Sequence, residues 1–577
     1  MLKHKREIAL GAVGAFTLVQ LAKYLKGRVY NYKLRKKAKA KLESRNSNIP
    51  NLPAVSLDTE SLVLSLTVTE LSAHIKSGKL TSVEIVSTYI KRALTIGRSL
   101  HLTAEECFEQ ALAEAHKCDQ ETANGHSRGL LHGIPISVKE HYGMKGYTSA
   151  CGLTWKLDYP DTEDAVLVQL LVDQGAIPFV RSNVCQAMMW IESSNKLYGR
   201  ADNPWDTSRT TGGSSSGEGG LVASRSSPLG IGSDIGGSVR IPSHFCGVYG
   251  FKPCPKRFSI KGIKTIPNTE FEGFESTVKG SFGPIGRCVE DLALVIRSWF
   301  SERAFEYDPS VVPLKFNEPD FGSSKKLRIG YYTHLNGYPV AECIKSAILK
   351  CVELLGEECE MVPYTIPYIG ELMRSFFEAY SGNAEAEFVG RELNGEDPEP
   401  FYEGIISSIN HPHLFKLQLS LLSKFGNQRL ADYLNNGSNF TPSEYLDRFQ
   451  STQDTVHSVI SDWSSHQIDA IICPIYGMVA TPHNATVEVG PCLVYSFIMN
   501  VLAIPAGVVP VGTVKEGENY YKDEYNDLLT KACSSVMEHS QGLPYSIQVV
   551  GLPYRDEVVL NVMKRIEKAF NFHSFAL

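Results

Sequence analysis

Three side chains in this 577-residue chain stand where chemistry is within reach. Lys139 closes the apolar run 134–138 in "LLHGIPISVKEHYGMKG". Ser214 follows paired glycines in "NPWDTSRTTGGSSSGEGG", and Ser238 follows another pair in "GSDIGGSVRIPSHFCG". A serine hydroxyl becomes a nucleophile once a base takes its proton. A lysine is such a base only when its surroundings keep it neutral. Glycine pairs let backbone approach a ligand and take φ > 0, and successive N–H groups there form a nest for an oxyanion. Each stretch alone is ambiguous. A lysine at a strand end also snorkels to the surface, and Gly-Gly-Ser also builds ordinary turns. Other chemistries lack their signatures. The sequence has no G-x-S-x-G elbow, no clear histidine partner, no phosphate loop and no zinc-spaced Cys/His set.

These residues need a scaffold. Short β-like runs occur at 133–139, 176–180, 229–233, 327–332, 468–474, 504–511 and 545–551, with helical patterns such as 165–174 between them. Residues 66–96 read as two helices parted by Gly78, each opened by a Thr with Glu three later (Thr67/Glu70 and Thr81/Glu84). Strands alternating with helices predict an α/β fold around a largely buried sheet. No linker or repeat divides residues 48–577, which read as one domain.

Charge is unevenly spread. The chain carries a net charge of −6, yet residues 1–47 hold 13 Lys and Arg against Glu7 and Glu43. The body is therefore strongly acidic and a poor nucleic-acid binder. The 13 scattered cysteines suggest reduced thiols facing the cytosol. Residues 8–22 are uncharged and mostly apolar. Extended to Leu25 they would span roughly 27 Å, a marginal fit to a hydrocarbon core of about 30 Å. More basic residues follow the run than precede it, which predicts a single-pass anchor with the body on the cytoplasmic side. The basic run 31–45 is then expected along an anionic membrane surface, or else as a solvated basic helix leading to Pro50 and Pro53.

Taken together, the motifs resemble the amidase signature family. G-I-P-x-x-V-K-[DE], N-P-W…G-G-S-S and D-I-G-G-S-x-R-x-P occur in that order, and the likeness extends over most of 66–569, through "FKP", "GPIGRCVEDLAL" and "GLPYSIQVVGLPYRDE". The resemblance implies the family's large twisted mixed sheet surrounded by helices. It implies Ser238 as nucleophile, Lys139 as base and Ser214 as the bridge between them, after a cis Gly213–Ser214 peptide. The backbone N–H groups of Ile235, Gly236, Gly237 and Ser238 are the expected oxyanion donors, and no metal or cofactor is called for. Asp234 and Arg240 are expected to shape the loop, and Ser215 and Ser216 to add hydrogen bonds. Ser216 and Thr211 depart from the family's usual Gly and Pro.

Within the family, "GAIPFVRSNVCQAMMWIESSNKLYGRADNPW" resembles the fatty acid amide hydrolases, which are integral membrane members. That branch implies a lipid amide substrate, such as an N-acylethanolamine or primary fatty amide, and a bilayer as partner. It also implies a homodimer and residence on the endoplasmic reticulum or another endomembrane. Met188 is expected at the substrate and Met189, Trp190, Phe376 and Phe377 along an acyl channel, although all could be plain core. Residues 413–434, rich in Leu and Phe, resemble the branch's membrane-binding cap; a buried helix pair broken at Gly426 is the other reading. Rival functions are hydrolysis of small or aryl amides, an amidotransferase subunit, and a non-catalytic lipid-binding scaffold.

Overall fold

The computed structural model describes the backbone of residues 2–264, 278–381, 392–403, 406, 412–424, 427, 441–522 and 525–572, without the side chains of 2–20, 379–381, 412, 413, 415, 416 and 442. Among these residues an 11-stranded mixed sheet forms the centre. Its spatial order is Thr103–Glu106, Ile177–Ser182, Pro135–Lys139, Gly230–Asp234, Ser281–Gly286, Tyr249–Lys252, Ala506–Thr513, Pro544–Gly551, Ala470–Cys473, Leu327–Tyr331 and Cys359–Pro363. The lysine strand, Pro135–Lys139, is parallel to both its neighbours. Most other pairings are antiparallel. Central strands are buried along their whole length, as in Pro135–Lys139 and Pro544–Gly551. That matches a sheet covered by helices on both faces, where apolar runs replace alternation.

All seven β-like runs of the sequence lie in this sheet. The two early helices form as expected, over Val68–Lys76 and Ser82–Arg92, each with a capping box and with Gly78 at φ +68° between them. Four strands carried too weak a pattern to be foreseen: Thr103–Glu106, Tyr249–Lys252, Ser281–Gly286 and Cys359–Pro363.

The N-terminus is one helix, α1 (Leu2–Ser47), of 46 residues. At about 1.5 Å per residue it is a rod of roughly 69 Å. Among the described residues no helix is long and apolar enough to cross a membrane, and the side chains of most of the expected anchor lie outside them. The basic half of α1 departs from the expectation of a run lying on lipid. Asn31, Leu34 and Ala38 are buried against the body. Arg35 pairs with Asp397 (2.6 Å), Lys37 with Asp158 (2.6 Å) and Lys41 with Glu105 (2.6 Å), and Arg45 donates to Thr103 O (2.7 Å). The acidic body thus takes up part of the N-terminal charge, and Lys33, Lys36 and Lys39 remain on the outer face. All 13 cysteines are free thiols.

Candidate active site

Sheet order brings the three candidate residues together. The lysine strand lies beside Gly230–Asp234, so Lys139 at its end faces the turn that leads to Ser238. The helix Ser216–Ala223 packs beneath both strands and presents Ser214 from the turn that precedes it. Lys139 Nζ is hydrogen-bonded to Ser214 Oγ at 2.8 Å and to Ser233 Oγ at 2.8 Å. The Gly213–Ser214 peptide is cis. Ser215 N donates to Ser238 O (3.2 Å), which ties the two glycine-rich turns to each other. Ser238 is 8% exposed, shielded yet reachable.

Lys139 is completely buried. Burial lowers its ammonium to about 8, while Cys185, Asp234, Cys151 and Glu218 pull the other way. At pH 7 a group titrating at 8 is roughly 10% neutral, a few hundred times more than an ordinary lysine near 10.4. The amine is thus a usable base without leaving the core. His141, two residues on, is buried against Tyr142 and Phe282 and held neutral by that burial, far below its ordinary value.

The nucleophile turn is built on Asp234. Its carboxylate accepts from Gly237 N (2.8 Å), Val239 N (3.1 Å), Arg240 Nε (2.9 Å) and Arg240 Nη2 (2.8 Å). Burial alone would raise this carboxyl, but Arg240 and these N–H groups hold it below the usual range. Arg240 also donates to Ser496 O, Gln548 Oε1 and Asn500 Oδ1, fixing the loop to the sheet. The expected structural part of Asp234 and Arg240 is what the geometry gives. One expectation changes. Gly237 N–H is taken by Asp234, so the donors left for an oxyanion are Ile235, Gly236 and Ser238, which among the described residues donate to no protein acceptor. Gly237 sits at φ +124°, and a Cβ there would come within 2.6 Å of Ile241 and 2.7 Å of Ser496, so only glycine fits.

Ser215 and Ser216 divide. Ser215 Oγ donates to Ser233 O and accepts from Ser233 N, both at 3.3 Å. Ser216 Oγ is buried and has no hydrogen-bond partner among the described residues. Two neighbours of Lys139 were missed from sequence. Ser233 contacts its amine directly. Glu218 is buried, with Oε2 accepting from Ser137 Oγ and Ser182 also beside its carboxyl. Burial raises its carboxyl to about 8. No local signal distinguishes either residue; Ser233 becomes a neighbour of Lys139 through strand order and Glu218 through the packing of its helix beneath both strands.

The apolar candidates line two sides of the same turns. Phe376 stacks on Phe497 with ring centroids 4.1 Å apart, and Phe377 stands edge-on to both. A Cβ at Gly236 would lie 3.2 Å from the Phe376 ring, so this wall abuts the nucleophile turn. Phe497 was not foreseen. On the other side, a Cβ at Gly213 would lie 2.8 Å from Trp190 O, so the stretch with Met188, Met189 and Trp190 borders the Ser214 turn. All three side chains are half-buried.

Comparison with known proteins agrees with this geometry. A family model described as amidase matches residues 84–560. The chain is 34% identical over 521 residues to fatty-acid amide hydrolase 1 of Sus scrofa, covering 89% of this chain and 87% of that protein. It is 29% identical to an acetamidase of Emericella nidulans over 542 residues, covering 90% and 92%. A solved fatty acid amide hydrolase superposes with a TM-score of 0.77 at 23% identity, covering 94% of this chain and 95% of the other. The chain belongs to the amidase signature family and is an amide hydrolase.

Proposed function

We propose that this enzyme hydrolyses fatty acid amides, N-acylethanolamines and primary fatty amides among them, to a free fatty acid and an amine. The observation that carries this reading is the apolar lining next to the serines: Phe376, Phe377 and Phe497 against Gly236, and the Met188–Trp190 stretch against Gly213. A long acyl chain needs such a surface, and methionines adapt to chains of different shape. The Sus scrofa relative, named a fatty-acid amide hydrolase, supports the same substrate class.

In the proposed reaction Ser238 Oγ attacks the amide carbonyl carbon. Its proton passes to Ser214 Oγ as Ser214 gives its own to neutral Lys139. The oxyanion is met by the N–H groups of Ile235, Gly236 and Ser238. As the tetrahedral adduct collapses, the C–N bond breaks and the proton returns from Lys139 through Ser214 to the leaving nitrogen. Water then attacks the Ser238 acyl ester, giving a proton to Lys139 through Ser214; the bond between the carbonyl carbon and Ser238 Oγ breaks, that proton returns to Ser238 Oγ, and the fatty acid leaves.

The bilayer is the proposed source of substrate. Leu414, Leu417 and Leu421, on one face of the helix Pro412–Lys424, are 59%, 57% and 46% exposed, whereas Leu419 is buried. An exposed apolar stripe suits a helix lying in a membrane interface. Of the expected cap 413–434, residues 425, 426 and 428–434 lie outside the described residues. The N-terminal apolar run is proposed as a further anchor.

The test is a homologous series of acyl amides. A buried CH₂ contributes about 0.8 kcal/mol, so kcat/KM should rise up to roughly fourfold per methylene until the channel is filled. Equal or better turnover of acetamide would instead make this a small-amide hydrolase, like the acetamidase relative.

A further inference from the structure

Ala187 and Met188, at the start of the proposed acyl-chain wall, both have φ of +57°. Neither side chain favours that region, so the surroundings must hold the turn. The stretch 392–403 does so. Gln186 Nε2 donates to Asp397 O (3.1 Å), and Glu399 N donates to Gln186 Oε1 (2.7 Å). Tyr402 OH donates to Gln186 O and accepts from Met189 N (3.3 Å). Gln186 is fully buried and Tyr402 nearly so. Glu396 reaches back and accepts from Thr154 N (2.8 Å) and Trp155 N (3.2 Å).

The other side of this stretch belongs to the N-terminal helix. Asn31 Nδ2 donates to Gly395 O (2.9 Å), and Asp397 N donates to Asn31 Oδ1 (2.7 Å). One amide side chain thus satisfies both a backbone carbonyl and a backbone N–H of the same turn, while Gly395 takes φ +82° to form it. Asn31 is 8% exposed, and Arg35, one turn on, pairs with the Asp397 carboxylate. Asp397 therefore meets α1 through its N–H and side chain, and meets Gln186 through its carbonyl.

We propose that Asn31 is a positioning residue for substrate selection: through the Gly395–Asp397 turn, the N-terminal helix sets the shape of the acyl-chain wall at Met188–Trp190. This rests on the fatty-amide reading of the same wall. It makes the docking of α1 and the seating of a long acyl chain one structural event, and the triad lies outside it. The Asn31 amide supplies both the donor and the acceptor this turn uses. Asn31→Asp loses the donor to Gly395, and Asn31→Ala loses both.

The experiment measures kcat and KM of the full-length protein in detergent for a long-chain fatty amide and for a short acyl amide. Asn31→Ala should raise KM for the long chain about tenfold, with kcat and the short-amide constants within twofold of wild type. Asn31→Asp should shift in the same direction, and it stands in if the alanine variant does not fold. A merely structural role would lower the active fraction and so depress kcat for both substrates equally. That result, or an unchanged long-to-short ratio of KM, overturns the proposal. Failure of the underlying reading looks different: the wild-type enzyme itself would then show no preference for the long chain.

Discussion

Burying Lys139 has a stability cost that one substitution exposes. Its ammonium falls from an ordinary value near 10.5 to about 8 on folding, and burial is the dominant cause. The unfolded chain therefore binds more protons than the folded one between those limits, so wild-type stability rises with pH across that window. Below pH 8 the folded state carries the full penalty. At 1.36 kcal/mol per pKa unit the depression amounts to about 3 kcal/mol. Lys139→Met keeps the side-chain bulk and removes the charge. It also loses the hydrogen bonds to Ser214 and Ser233, each with a net contribution of about 0.5–1.5 kcal/mol, largely independent of pH. The difference in unfolding free energy, variant minus wild type, should thus decline by about 3 kcal/mol between pH 8 and 10.5. Its steepest slope should approach ~1.4 kcal/mol per pH unit. Denaturant titrations of both proteins at half-unit intervals measure it, and the variant should be inactive throughout. A pH-independent difference would refute the claim that Lys139 is a buried, charge-strained base.

Glu218→Gln removes the carboxyl behind Lys139 with little change of shape. Burial keeps that carboxyl largely protonated below about 8, and it is the weakest of the groups favouring the Lys139 cation, so the acidic limb of kcat/KM should move to lower pH by only about a few tenths of a unit; a shift of a full unit or more would count against a neutral Glu218. Replacing Leu414, Leu417 and Leu421 together by Ser strips the exposed apolar stripe. At roughly 1.5 kcal/mol or more per leucine buried in lipid, liposome binding should weaken at least tenfold. Turnover of a short soluble amide should stay within twofold, and unchanged co-sedimentation with vesicles would remove that helix from the membrane contact.

Much of this site was legible because its signals are local. Paired glycines before Ser214 and Ser238 and an apolar run ending at Lys139 are written within a few residues each, and so are the capping boxes at Thr67 and Thr81. What escaped depends on the folded sheet. Ser233 reaches Lys139 because two strands more than 90 residues apart are neighbours, and Glu218 because the helix Ser216–Ala223 packs beneath them. Phe497 joins the aromatic wall from a helix far along the chain. The four unforeseen strands lack a pattern: Thr103–Glu106 is acidic, Cys359–Pro363 ends in proline at a sheet edge, and Tyr249–Lys252 and Ser281–Gly286 are interrupted by glycine. Among the described side chains, the inner face of α1 is Asn31, Leu34 and Ala38, with Leu42 partly buried beside them. The polar Asn31 and the small Ala38 make that stripe weak in hydrophobic periodicity, so the contact of the basic run with the body is not legible in the sequence. The oxyanion expectation erred at Gly237 for a similar reason, since its N–H partner is a side chain that the motif alone leaves unplaced.

The most direct measurement of the central claim is covalent labelling with an alkyl fluorophosphonate followed by peptide mass mapping. The account predicts one adduct per chain, on the peptide carrying Ser238, absent in Ser238→Ala and markedly slowed in Ser214→Ala and Lys139→Ala. Labelling of Ser238→Ala at the wild-type rate, or an adduct confined to Ser214, would contradict it.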